Sequence, residues 1–166
     1  MTKNIDRVVV PLKVLLVLVF AGLLIAQLLS LPGQFSHMAA EHPERGALPW
    51  LMLVVAVLEA ACFQVVIVCI WRLLDLVRDD RIFSERAFRW VDAIVWAMAV
   101  GWLLLAGLAA TLVVVIYNTP ELRDPGLPIL LAGMVLIGAV VVLTMVVMRV
   151  LLRRATVLRT DLDEVI

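Results

Sequence analysis

Glu59 is the residue of this 166-residue sequence whose position most needs a chemical account. It lies inside the apolar run from Pro49 to Trp71. A helix starting at Pro49 would carry its carboxyl about 15 Å into a hydrocarbon layer roughly 30 Å thick, which is the midplane. A bare charge at that depth costs roughly 3 kcal/mol or more. No Lys or Arg reaches it from within the chain, because Lys13 and Arg72 fall near the edges of their runs. The carboxyl is therefore neutral, paired across a subunit interface, or next to water. Three roles follow: hydrogen-bonded glue inside a bundle, an ion or proton site of a transporter, or a contact to another chain. A single intramembrane acid with no second acid or base makes a poor proton relay. Gln64 is a further polar residue of the same run. Trp102, counted up from Trp90, reaches about 18 Å, close to the depth of Glu59, so its indole N–H is the expected partner of the acid.

The remaining chemistry-bearing residues are few. His37, Glu41, His42 and Glu44 stand close together in the segment Pro32 to Pro49, but none of the strong zinc spacings is present, so a solvated loop is expected and no metal. Cys62 and Cys69 are seven residues apart in an apolar run, about 10 Å along a helix axis, too far for a disulfide with each other. They are expected as small core residues. No glycine-rich phosphate loop is present, and no serine or cysteine triad can be assembled. Both histidines lie outside the apolar runs, which leaves no axial pair for an intramembrane haem. No enzyme activity and no cofactor are expected.

The elements that must position these residues are membrane spans. Hydrophobic residues make up 64% of the chain and charged residues 17%, far from the composition of soluble domains. The charges balance at 14 against 14, so no net basic field speaks for direct nucleic-acid binding. Four apolar runs, about 8–31, 49–71, 90–117 and 127–148, each supply the roughly 20 residues a bilayer-crossing helix needs. The first is read as a retained span rather than a signal peptide, because it exceeds a typical signal core and lacks a small-x-small cleavage site. Of the 14 basic residues, all but Arg45 and Arg123 lie in the N-terminal segment through Lys13, around Arg78 or from Arg149 onward. The positive-inside rule then places both termini and the central turn in the cytoplasm. Trp50, Trp71, Trp90 and Tyr117 fall at span ends as an aromatic belt would. Gly22/Ala26, Ala56/Ala60 and Ala106/Ala110 are small pairs suited to close helix approach. Asp92 and Arg149, at the same ends of their spans, are expected to pair. Arg72, Asp75, Arg78 and Asp79 are spaced for pairing along one helix.

The central turn and the C-terminal tail complete the reading. Ser84 is the expected N-cap of the third span, with Phe83 and Phe88 spaced as a hydrophobic staple. Leu151, Ala155, Leu158, Leu162 and Val165 alternate steps of four and three, a seam that extends the fourth helix as a cytoplasmic tail over 149–166. Ile82, Phe83, Ser84 and Arg86 of the turn, with Leu158, Asp161, Leu162 and Asp163 of the tail, form the expected partner-binding surface. Apolar groups would meet across it and Arg81, Arg86 and Arg89 would face the tail acids.

The turn Asp-Arg-Ile-Phe-Ser-Glu-Arg-Ala (Asp80 to Ala87) and the ending Ala-Thr-Val-Leu-Arg-Thr-Asp-Leu-Asp-Glu-Val-Ile (Ala155 to Ile166) resemble the DUF2975 family of small bacterial integral membrane proteins. Phe83, Ser84, Ala87 and the acidic-apolar tail carry the resemblance. It implies no particular reaction. Some relatives are encoded beside a small helix-turn-helix regulator, which implies a membrane partner of a signalling or regulatory system. The expected protein is all-α and polytopic, a single domain forming an antiparallel bundle of four transmembrane helices. It would act as a non-enzymatic sensor, anchor or accessory subunit through the turn and tail. Its partners would be the bilayer, a second copy of the chain, and a cytoplasmic regulatory protein. The alternative is a small transporter or channel subunit centred on Glu59.

Overall fold

A computed structural model of the chain describes the backbone of residues 2–78, 85–119 and 126–163 and the side chains of 9–77, 87–119 and 126–156. Its long elements are α1 (Thr2–Ile25), α2 (Leu31–Glu41), α3 (Leu48–Arg78), α4 (Glu85–Asn118) and α5 (Gly126–Asp163). A π-helical turn, Ala26–Ser30, joins α1 to α2, and a 3₁₀ turn, Pro43–Arg45, precedes α3. Among the described residues four stretches are long and apolar enough to cross a membrane: Val9–Glu41, Leu48–Val77, Ala87–Asn118 and Gly126–Thr156. This is a helical membrane protein of multi-pass type.

The first stretch departs from the expected loop beyond Leu31. The helix runs on through Pro32 to Glu41, and the reason lies in the turn before it. Pro32 has no N–H to donate, and its ring would strike the carbonyl of Leu28 in a regular α-helix. The π turn over Ala26–Ser30 widens the backbone there, so the chain bulges instead of ending. The result is a 33-residue stretch, about 50 Å at 1.5 Å per residue and longer than a hydrocarbon core. Gly46, at φ 53° and ψ −118°, then turns the chain into α3 through a conformation open only to glycine. Pro49 sits in the first turn of α3, where a missing N–H costs nothing.

The central pair of the bundle is α3 and α4; α1 and α2 lie against α3, and α5 packs principally on α4. The core is thin and built from small groups: Val55, Ile67, Cys69, Ala87, Val95, Ala97 and Ala109 are buried. Among the described residues no polar or charged residue is fully buried. The close approach of α3 and α4 runs through Cys62 and Gly101, where a Cβ on the glycine would meet Cys62 at an ordinary 3.7 Å. The small pair Gly22/Ala26 does not serve this purpose, because Gly22 is exposed with nothing within 4 Å of its Cβ direction. Most of α5 is exposed apolar surface, including Leu136, Ile137 and Val140, as a helix facing lipid requires.

Ion pairs collect near one end of α3, α4 and α5. Lys13 of α1 pairs with Asp75 of α3 and lies 5.2 Å from the centre of the Trp71 ring. Asp75 is thus taken by a neighbouring helix, and the side chains of Arg78 and Asp79 lie outside the described residues. Asp92 of α4 pairs with Arg149 of α5 as expected, and Arg153 joins the same carboxylate at 3.3 Å.

Candidate functional site

Between α3, α4 and α5 lies an open-sided cavity of about 290 Å³. Glu59, Cys62, Phe63 and Val66 supply one wall, at the i, i+3, i+4, i+7 spacing that puts them on one face of α3. Ala97, Met98, Gly101, Trp102 and Leu105 supply the floor from α4, and Gly138, Val141 and Val142 close the third side from α5. Glu59 supplies the one carboxyl in this lining, and the Cys62 thiol beside it is the other ionisable group. Its Oε1 is buried and has no hydrogen-bond partner among the described residues. Glu59 lies eleven residues along α3 from Leu48, about 16 Å at 1.5 Å per residue.

Trp102 reaches the same cavity but does not bond to Glu59. Its Nε1–H donates to the Val135 carbonyl of α5 at 2.9 Å. The ring can turn that way because residue 138 is glycine: a Cβ there would lie 2.8 Å from Trp102 Cδ1. Depth puts Trp102 level with Glu59, but the gap opposite Gly138 decides its direction. The indole is therefore a latch between α4 and α5, and the acid keeps an unpaired oxygen. The role of hydrogen-bonded glue falls to other residues.

Those residues are Gln27 and Gln64. Gln64 Nε2 donates to Gln27 Oε1 at 2.7 Å, and Gln27 Nε2 donates to the Val57 carbonyl at 3.1 Å. Gln27 lies in the π turn, whose bulge aims it at α3. Sequence reasoning names Gln64 and misses Gln27; the signal was a lone amide five residues before Pro32 in an otherwise apolar helix.

The remaining candidates do not converge. His37 Nδ1 and Glu41 Oε2 are 3.3 Å apart on one exposed face of α2, which is helix where a loop was expected. His42 Nδ1 and Glu44 Oε1 form a separate pair at 3.0 Å. Among the described residues no three His, Cys, Asp or Glu side chains gather as metal ligands. Glu44 is held below the usual carboxylate value, first by a hydrogen bond from its own backbone N–H and then by His42. Cys69 is buried and Cys62 half-buried, both as free thiols on α3. Of the expected partner surface, Ile82, Phe83 and Ser84 lie outside the described residues. So do the side chains of Arg86, Leu158, Asp161, Leu162 and Asp163. The backbone of α4 begins at Glu85, directly after the expected N-cap, and α5 stays helical to Asp163.

No curated protein and no solved structure matches the chain. A family model described as a protein of unknown function, DUF2975, matches residues 33–166. That match begins in α2 and takes in α3, α4, α5 and every residue lining the cavity. With most of its length matched, and with helices that confirm the membrane character read from composition, the chain belongs to the DUF2975 family.

Proposed function

We propose that this protein is a non-enzymatic membrane sensor in which the cavity at Glu59 takes up a small amphiphile and α5 carries the occupied state to its C-terminal end. The single observation behind this reading is the buried, unpartnered Oε1 of Glu59 in a cavity otherwise apolar. A buried acceptor without a donor costs about 1–3 kcal/mol, and a ligand that supplies the donor recovers that amount on binding. The matching ligand has a short apolar body and a donor head, with a primary amine the best complement to a carboxyl. At about 290 Å³ the cavity lies at the small end of ligand sites.

The coupling follows from how α5 is held. It forms one cavity wall, is latched by Trp102 to Val135, and is clamped further along by Asp92 to Arg149 and Arg153. A ligand that moves the latch moves a helix that continues to Asp163. In this reading the helices alternate in direction across the inner membrane of a bacterium, with both termini and the turn cytoplasmic. The pairings of residue 13 with 75 and of 27 with 64 suit opposite directions for α1 and α3, and the basic residues suit that orientation. The extension of α5 would then meet its cytoplasmic regulator, or a second copy of the chain, through Leu158 and Leu162.

The test is a thermal titration of the detergent-solubilised protein with short primary alkylamines. Stabilisation of about 2.7 kcal/mol at a hundredfold excess over Kd, rising with the logarithm of concentration, is expected, and it should vanish in Glu59→Leu. Identical stabilisation of wild type and Glu59→Leu would sink the reading. The transporter alternative rests on the same carboxyl, and a pH-dependent flux in liposomes that Glu59→Gln abolishes would favour it.

A further inference from the structure

On the opposite side of α3 lies a second recess, independent of the Glu59 cavity and of the reading attached to it. Leu16, Val17 and Phe20 of α1 face Ile67, Val68, Trp71 and Arg72 of α3 across about 400 Å³. The groove exists because α1 and α3 are tied at two levels and not between them. Lys13 to Asp75 holds one level, and Gln27 to Gln64 and Val57 holds the other. Val17 and Val68 at its rim are 49% and 43% exposed, so it opens sideways, within the spans, where a membrane protein meets lipid chains.

Arg72 sets the chemistry at its mouth. It is exposed and makes no ion pair or hydrogen bond with any described residue. The neighbouring charges are already engaged, since Lys13 pairs with Asp75 and lies over the Trp71 ring. Lys13, Asp75 and Arg72 together leave one positive charge without a counterpart. Arg72 directly follows Trp71, the last residue of the apolar run 49–71. At that end of the run a long cationic side chain can reach the headgroup level while its stem stays in hydrocarbon. A guanidinium there presents the planar fork that binds a phosphate through two parallel N–H bonds. Trp71 beside it is the residue type that settles at the same interface.

We infer that this groove is a binding site for an anionic phospholipid, with one acyl chain lying between Leu16, Phe20, Ile67 and Val68 and the headgroup phosphate on Arg72. A phosphatidylglycerol carries one negative charge, which matches the one positive charge left over. A phosphatidylcholine carries its own ammonium and leaves no net charge for Arg72 to meet. Bound in this way, the lipid would complete the contact between α1 and the rest of the bundle.

The experiment uses the full chain in mild detergent, with phosphatidylglycerol, phosphatidylcholine or inorganic phosphate added, read by thermal unfolding and by native mass spectrometry. Phosphatidylglycerol is expected to raise the unfolding temperature with the logarithm of its concentration and to remain as a one-lipid adduct; phosphatidylcholine and inorganic phosphate are not. Arg72→Gln should weaken phosphatidylglycerol binding about tenfold, the size of one charge-assisted contact. Arg45→Gln, which removes a positive charge at the other end of α3, should leave it unchanged. Val17→Trp, which fills the groove and keeps Arg72, should also abolish the adduct. The site is overturned if both lipids stabilise equally, if inorganic phosphate alone gives the effect, or if Arg72→Gln and Val17→Trp both retain the adduct.

Discussion

The two sides of α3 treat intramembrane polar groups in opposite ways. Toward α1, the groups within the helix contact are partnered, Gln27 with Gln64 and with Val57, and Lys13 with Asp75, and the unpaired Arg72 is exposed at the mouth of the recess. Toward α4 and α5, Glu59 keeps an oxygen buried and unpaired among the described residues, while the indole of Trp102 is turned away to Val135. Polar residues selected to hold helices together find one another, as the glutamines do. A carboxyl oxygen left alone in a cavity adds no hydrogen bond to helix association and carries a desolvation cost, which is the observation behind the proposed ligand. On the proposed reading, the difference separates residues that hold helices together from a residue kept for binding.

The latch between α4 and α5 is where one substitution should disturb this division most. Gly138→Val places a branched carbon where a Cβ already comes within 2.8 Å of Trp102. It should cost roughly 1–3 kcal/mol and reduce near-UV signal from Trp102, as read by chemical or thermal unfolding in detergent. Trp102 would then be free to turn, and partial loss of amine binding would show that the latch and the cavity are one device. Next in size is Asp92→Asn, which leaves Arg149 and Arg153 facing a neutral group. The site is about a quarter exposed, so the loss is about 1–2 kcal/mol rather than that of a fully buried pair. Limited proteolysis should show α5 cut more readily.

Two smaller effects bear on the same division. Gln64→Leu should cost about 0.6 kcal/mol, and at most about 1.7 kcal/mol, the range for single hydrogen bonds between helices in membranes. Glu44→Gln should leave stability unchanged at neutral pH, because the residue is fully exposed. Its lowered carboxylate value means that whatever it contributes is present above the unfolded value and lost as pH falls through the folded one. An NMR titration that placed Glu44 at or above its ordinary value of 4.5 would contradict the backbone hydrogen bond assigned to it.

Much of the architecture is legible in the sequence, and the rest is hidden for identifiable physical reasons. Composition and run length specify four spans because hydrocarbon admits little else. The depth of Glu59 follows from counting, and the pairing of Asp92 with Arg149 follows from their shared level. Direction around a helix is harder to read. Counting puts Trp102 at the right depth with the wrong partner, because its orientation depends on a missing side chain at Gly138 on another helix. Pro32 reads as a helix end, since nothing local signals that a π turn will absorb it. Gln27 escapes notice for the same reason: the bulge that turns it toward α3 is a backbone event.

If Glu59 serves binding and not folding, Glu59→Leu and Gln64→Leu should part ways when their equilibrium unfolding is compared in one detergent. Both substitutions exchange a half-buried polar side chain on α3 for the same apolar one. Removing an unpaired acceptor and filling an apolar cavity should leave Glu59→Leu at least as stable as the wild type, while Gln64→Leu loses its bridge to Gln27 and falls below it. A loss in Glu59→Leu as large as that in Gln64→Leu would show instead that the carboxyl holds the bundle together.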